Sequence, residues 1–345
     1  MDDTLSHKTG KHMEYAGKFF DRADGKYTHA HDILTTHLVK GRLSIPLDFR
    51  VYIKKEEFEG KKKKREEEEE IDEIFQDKNQ MAREMLKKAH SNGMPFLYVV
   101  GDSWFFCRDT AELASSLGKI WIFQSKSDRV VLMPQGWVQL SEWAKTVPKE
   151  KFIKRVKVRH KDKEQIYWCY EANLRMRSLG GERVRVIVSY DNPECNGEPN
   201  FYCSNKLDMK ADKLLNVYAK RWKIDSFYRD AKQNLGMEEY EMRKIEGVRR
   251  HLAMVLIAHT FLVLGPVPES PNDEEDTKLR GVDVARGEAI VETIGSRCRV
   301  AYREVLVSFI ALVLRTGRKL KNDAGRIASL VLSSRARIGV DFAKV

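Results

Sequence analysis

The sequence is poor in cysteine. Cys107, Cys169, Cys195, Cys203 and Cys298 are odd in number, widely scattered and never spaced C-x-x-C. That pattern argues against a disulfide framework and a zinc knuckle, and it fits a reducing, intracellular setting. Long apolar runs are also missing. The most apolar stretch, "HLAMVLIAHTFLVLG", is interrupted by His259 and is too short to cross a bilayer comfortably. The first residues lack the basic-then-apolar layout of a secretory leader. No internal repeat is evident. We therefore expect a soluble, cytoplasmic chain whose 345 residues suffice for one large domain or two ordinary ones.

Positive charge is in excess. A formal charge of +11 and a pI near 9.2 suit a polyanionic partner, with nucleic acid first among them. The excess is not uniform. "KKKKREEEEE" (61–70) sets opposite charges at i,i+4 and i,i+5 with no apolar face to pack, which predicts an exposed, solvated insertion and not a binding tail. From Lys145 to Glu164 there are nine Lys or Arg against three acids, and strand alternation would put Arg155, Lys157 and Arg159 on one face. Such a face can track phosphates or can be a solvated edge strand guarded by its cations.

The chain texture predicts an α/β fold. "YTHAHDILTTHLVKGRLSIPLDFRVYI" reads as a hairpin turning near Lys40-Gly41. A helix over Met81–Ala89 precedes "PFLYVVGDSWFFC", an apolar run typical of a buried strand, which ends at Gly101-Asp102. A short helix near Thr110–Leu117 and the strand "KIWIF" complete a β-α-β alternation. Between about Gln124 and Tyr202 the strands become short and charged, with a turn at Gly180-Gly181, which we read as an inserted β subdomain. A loop, "PESPNDEEDTK", and helical segments from about Asp283 close the chain.

The stretch "YAKRWKIDSFYRDAKQNLG" carries two stripes. At about 100° per residue, Tyr218, Arg221, Asp225, Arg229 and Lys232 share an arc of roughly 80°. Val217, Ile224, Phe227, Tyr228, Ala231 and Leu235 form a separate apolar stripe able to dock the helix on a core. The polar stripe is either a solvated face with ordinary i,i+4 ion pairs or a carboxylate framed by cations, as a metal-and-phosphate site requires. Asp102 is either a strand-end site residue or a turn cap, and the acids of "MDDT" stand at a terminus that ordinarily frays.

In order and character, "DDT", "YVVGDSWFF" and "YAKRWKIDSFYRDAKQNLG" resemble three blocks of the DDE transposases of prokaryotic insertion sequences. The resemblance extends through "GMEEYEMRKIEGVRRHLAMVLIAHTFL" and, more loosely, "TIGSRCR". In the cut-and-paste branch the third carboxylate lies in a Y-x2-R-x3-E-x6-K helix, whose spacing Tyr218, Arg221, Asp225 and Lys232 match, with Asp in place of Glu. The side chain is shorter by one carbon-carbon bond, roughly 1.5 Å. The resemblance carries the other two catalytic aspartates onto Asp102 and Asp3, with Asp2 the lesser claimant. It implies a ribonuclease-H-like core over residues 1–123 with a charged insertion at about 54–80, the β subdomain at 124–205, core helices at 206–265, and a loop and helical region at 266–345.

The function implied is metal-dependent DNA strand cleavage and strand transfer. Asp3, Asp102 and Asp225 would hold Mg2+ or Mn2+, while Tyr218, Arg221 and Lys232, with Arg155, Lys157 and Arg159, would grip phosphates. The implied partners are double-stranded DNA, as transposon ends and target, and a second copy of the chain when DNA-bound, near the nucleoid. Trp137, Trp143, Trp168 and Phe201 are candidates to receive a flipped base, and Trp104 reads as packing. The chain begins at the first catalytic block, which the resemblance implies is an N-terminal truncation. The alternative is a catalytically inactive DNA-binding remnant of such an enzyme.

Overall fold

A computed structural model describes residues 1–264, apart from 11, 42, 57, 60–74, 153 and 161–162, and beyond them only 293–295, 297–298 and 301–302. Of 154, 155, 159, 160 and 163 it describes the backbone and not the side chains. The charged run 61–70, the loop 268–278 and nearly all of the helical region expected after Asp283 lie outside the described residues. The chain divides into two units, Met1–Val263 and Leu264–Val345. Of the second, short helical pieces at 294–295, 297–298 and 301–302 are described.

The first unit is α/β, built from two sheets. Strands β1 (Asp2–His7), β2 (Gly17–Asp21), β3 (Lys26–Lys40) and β4 (Leu43–Tyr52) form an antiparallel sheet. The long β3 lies at its centre, with β1 and β2 along one edge and β4 along the other. The β3–β4 hairpin closes where Lys40 faces Leu43, and Gly41 takes φ 59, a left-handed value that glycine adopts without steric cost.

Helix α1 (Lys78–Ser91) starts in a reciprocal cap: the Asp77 carboxylate accepts from the Gln80 N–H at 2.7 Å, and the Asp77 N–H donates to Gln80 Oε1 at 2.8 Å. Then β5 (Tyr98–Gly101), α2 (Arg108–Ser116) and β6 (Ile120–Ser125) make the β-α-β unit, with β5 and β6 parallel. The Met1 ammonium donates to Val100 O at 3.0 Å, which sets the start of β1 beside β5. An antiparallel set joined at its first strand to a parallel β-α-β is consistent with the ribonuclease-H-like architecture.

Six more strands extend the second sheet. In chain order they are β7 (Val130–Met133), β8 (Gly136–Gln139), β9 (Lys154–His160), β10 (Lys163–Met176), β11 (Glu182–Tyr190) and β12 (Asn200–Ser204). The sheet runs β5-β6-β12-β11-β10-β7-β8, and β9 pairs with β10. A short helix, α3 (Leu140–Lys145), follows β8 and buries Leu140 and Trp143.

The single helix expected over 218–236 is two. Helix α4 (Ala211–Tyr218) ends in a 3-10 turn at Ala219–Arg221, and α5 (Trp222–Asn234) follows. The halves serve different cores. Leu214, Leu215, Val217 and Tyr218 pack with Ile122, Val156, Val158 and Ile187. Ile224, Phe227, Tyr228 and Ala231 pack with Ile33, Val51 and helix α6 (Ile245–Leu264). The two halves meet at the 3-10 turn Ala219–Arg221, where the chain passes from one core to the other. Each large apolar side chain buried this way contributes roughly 1.5–3 kcal/mol. Helix α6 is long and apolar enough by composition to cross a membrane, with a mean hydropathy of 1.3, yet it buries Val248, Leu252, Val255 and His259 within this unit.

Candidate active site

Strand β1 decides which acid faces what, because successive side chains in a strand point to opposite faces. Asp2 pairs with Arg221, and both side chains are nearly buried, 11% and 14% exposed. Arg221 Nη2 lies 4.0 Å from Asp225 Oδ2. Asp3 goes the other way, to Lys78 of α1, which also pairs with the buried Asp32 of β3. Two carboxylate clusters result, each organised by one internal cation.

Asp102 follows β5, and what lets that strand close on β6 is Gly101: a Cβ there would stand 2.9 Å from the Phe123 ring. The Asp102 carboxylate accepts from the Trp104 N–H at 2.9 Å, so it does cap a turn. Its charge still acts on Asp2, Arg221 and Tyr218. Asp2, Asp102, Arg221 and Asp225, drawn from three distant parts of the chain, thus form one electrostatic group.

Burial raises the Asp2 carboxyl to about 6; Arg221 pulls it down, while Asp102 and Asp225 push it up. Burial works against the Arg221 charge, but Asp2, Tyr218, Asp225 and Asp102 together hold it above its usual range. In the second cluster burial is again the largest cause: Asp32 rises to about 7, with Asp3 adding to the shift and Lys78 opposing it. Among the described residues Asp32 Oδ1 has no hydrogen-bond partner. Neither Asp32 nor Lys78 stands out in the sequence; the available signal is a single acid inside the strand "HDILTTH".

Helix α5 and the turn before it dock on β1. Besides the Arg221 pair, the Tyr228 hydroxyl donates to Asp2 O at 2.8 Å and meets Thr35 Oγ1 at 2.6 Å. Lys232 Nζ donates to Leu5 O at 2.6 Å and pairs with Glu238 at 2.8 Å. Arg229 is exposed and pairs with Asp230. Tyr218 is buried on α4; its hydroxyl donates to Gln124 Oε1 at 3.2 Å, and burial pushes its pKa to about 12. The strand β9 carries Arg155, Lys157 and Arg159 at alternate positions while Val156 and Val158 turn inward. Lys157 is exposed and pairs with Glu164 at 2.8 Å. Of the aromatic candidates, Trp137 is exposed, Trp168 is half-buried, and Trp143 and Phe201 are in the core.

A hard divalent cation suits an all-carboxylate donor set such as Asp2, Asp102 and Asp225. Among the described residues, however, no three carboxylate, imidazole or thiol side chains stand close enough to share an ion, and Arg221 is the cation that Asp2 holds.

Residues 1–151 match the model of a family described as DDE superfamily endonuclease. That segment contains Asp2, Asp3 and Asp102, and Asp225 lies beyond it. No curated protein matches the chain. Among solved structures, the chain is similar to a piggyBac transposase in a synaptic complex with hairpin DNA, at 9% identity and a TM-score of 0.46, over 95% of this chain and 55% of that one. The chain spans about half the length of that transposase.

Proposed function

We propose that the chain is a DDE-type nuclease acting on DNA, a transposase that cuts and rejoins the strands of an insertion sequence, with Asp2, Asp102 and Asp225 as its carboxylates. The convergence of Asp2, Asp225 and the Asp102 charge on one guanidinium, Arg221, carries this reading. The match of residues 1–151 to DDE superfamily endonucleases supports it. Asp2 replaces Asp3 in the proposed trio because Asp3 is turned toward Lys78 and Asp32.

Mg2+ or Mn2+ bound by such carboxylates would supply an activated water and stabilise the leaving oxygen. In this structure Asp2 is closed on Arg221, with Asp225 4.0 Å from the same guanidinium. What the chain itself supplies is charge and position. Arg221 presents a planar fork that suits a phosphate bidentately, and among the described residues its Nε–H has no hydrogen-bond partner. A DNA phosphate competing for that fork would release the Asp2 carboxylate into the site. Tyr218, with its raised pKa, remains a neutral hydroxyl through the physiological range. Double-stranded DNA as partner, and a second copy of the chain on it, belong to the same proposal.

The test is nicking of duplex DNA carrying the ends of the insertion sequence, in magnesium and in manganese. Asp2→Asn, Asp102→Asn and Asp225→Asn should each lose at least about 10²-fold in rate, while Asp3→Asn loses less than tenfold. Loss on Asp3→Asn with Asp2→Asn active would return the role to Asp3. Tight DNA binding with no nicking under either metal would replace the enzyme by the DNA-binding remnant.

A further inference from the structure

Trp104 is an anomaly in its own segment. Its neighbours Phe105 and Phe106 are fully buried, yet Trp104 is 48% exposed. An exposed tryptophan on a loose loop would need no explanation, but this one is held. The Asp102 carboxylate accepts from the Trp104 N–H, and the two phenylalanines anchor the chain behind it in the core. Phe106 stacks on Phe123, with ring centroids 5.4 Å apart. The ring therefore projects from a rigid turn, two residues after an aspartate of the proposed site.

Two lysines flank it. Lys78 Nζ and Lys126 Nζ each lie 6.0 Å from the Trp104 ring centroid. Lys78 cannot wander, because Asp3 and Asp32 both hold its ammonium, and the capping box at Asp77 fixes the first turn of α1. Lys126 follows directly on β6. A half-exposed aromatic ring with cations over it, on a chain with an excess of positive charge, is the combination by which proteins hold unpaired nucleotides: the base stacks and the phosphates draw the cations.

We propose that Trp104 is a stacking platform for an unpaired nucleobase of the DNA strand that meets Asp102, with Lys126 on its backbone phosphate and Lys78 fixing the edge of the platform. This rests on the nuclease reading above and adds that the strand is locally unpaired at the site. A duplex hides its base faces, so the platform discriminates single-stranded or opened DNA from closed duplex.

The experiment measures binding with EDTA present, so that it does not depend on catalysis. The probes are a 12-nucleotide single strand carrying 2-aminopurine, and the same sequence as a closed duplex. Stacking should quench the 2-aminopurine emission on binding to the natural protein. Trp104→Ala should abolish the quench and weaken single-strand binding about tenfold, with duplex binding changed less than twofold. Trp104→Phe should keep most of the affinity, and Trp104→Leu should behave as Ala. A half-exposed side chain can be replaced without unfolding the protein, and an unchanged thermal melt verifies this. Single-strand affinity unchanged in Trp104→Ala, or fully retained in Trp104→Leu, overturns the platform. The nicking assay is separate: absence of nicking with the Trp104 effect intact defeats only the nuclease reading, and nicking without that effect defeats only the platform.

Discussion

Removing Arg221 tests the electrostatic logic of the site without any assumption about DNA. Arg221→Ala deletes the cation that Asp2 holds and that stands 4.0 Å from Asp225. Both members of the principal pair are nearly buried, so water cannot fully replace the lost partner. Breaking a buried ion pair from one side costs about 3–5 kcal/mol, chiefly because the other charge remains buried and uncompensated. Arg221 is also slightly exposed, which puts the expectation at the low end, about 3 kcal/mol at pH 8.

The pH dependence sharpens the test. In the intact protein the Asp2 carboxyl sits at about 6, above its ordinary 3.8, because burial outweighs Arg221. An acid with a raised folded pKa binds its proton in the folded state first, so its charged form costs stability above about pH 6, and that cost is relieved as pH falls toward 4. Without Arg221 the carboxyl moves higher still and takes up its proton earlier. The cost of Arg221→Ala should therefore shrink to about 1 kcal/mol at pH 5, the worth of an ordinary hydrogen bond. In an Asp2→Asn background the same substitution should cost about 1 kcal/mol at both pH values. Urea denaturation of the four proteins of this cycle at pH 5 and pH 8 measures all of these. A cost for Arg221→Ala that is the same at both pH values, or the same with Asn at position 2, would refute the coupling of Asp2 to Arg221.

Two further outcomes are expected. His259, buried on α6 with its ring edge-on to Phe227 at 4.8 Å, is lowered by burial to about 4, so the unfolded chain takes its proton first; stability present above about pH 6.5 is lost as pH falls toward 4, by at most about 3 kcal/mol, and His259→Gln should flatten that limb of the urea-denaturation profile, an unchanged limb refuting it. Neutralising Arg155, Lys157 and Arg159 together should reduce the slope of log affinity for duplex DNA against log salt by about 2–3 units, and an unchanged slope would make that strand face one of solubility alone.

The elements of the core were readable because their signals are local. The β3–β4 hairpin announces itself by β-branched residues around Gly41, and α1 and α2 fall within three residues of where periodicity puts them. The strand before Asp102 was visible as an apolar run, but only Tyr98–Gly101 is extended, since Phe105 and Phe106 reach the core from a turn. The break at 219–221 was not readable. Nothing in "YAKRW" interrupts a helix, with no proline and no glycine, and the 3-10 turn falls where the chain passes from one core to the other. Periodicity reports one face at a time and is silent on where the partner surfaces are.

The same limit explains the pair of aspartates at the start of the chain. A block written D-D-T offers two adjacent carboxylates, and in a strand these face opposite ways, so a one-residue choice is a choice between two sides of a sheet. Sequence spacing inside a helix fixes which side chains share a face with Asp225, but it does not say which side of β1 that face meets. The register does: Asp2 faces Thr35 in the ladder, Tyr228 grips Thr35 Oγ1 and Asp2 O together, and that clasp brings Arg221, seven residues earlier, onto the Asp2 carboxylate. Tyr228, read from the sequence as part of an apolar stripe, is therefore the residue that aligns α5 with β1, through a hydroxyl that hydropathy counts for little. Asp3, one residue on, pairs with Lys78, which also holds the buried Asp32. The electrostatics of the two faces, and not the motif, separate the two aspartates.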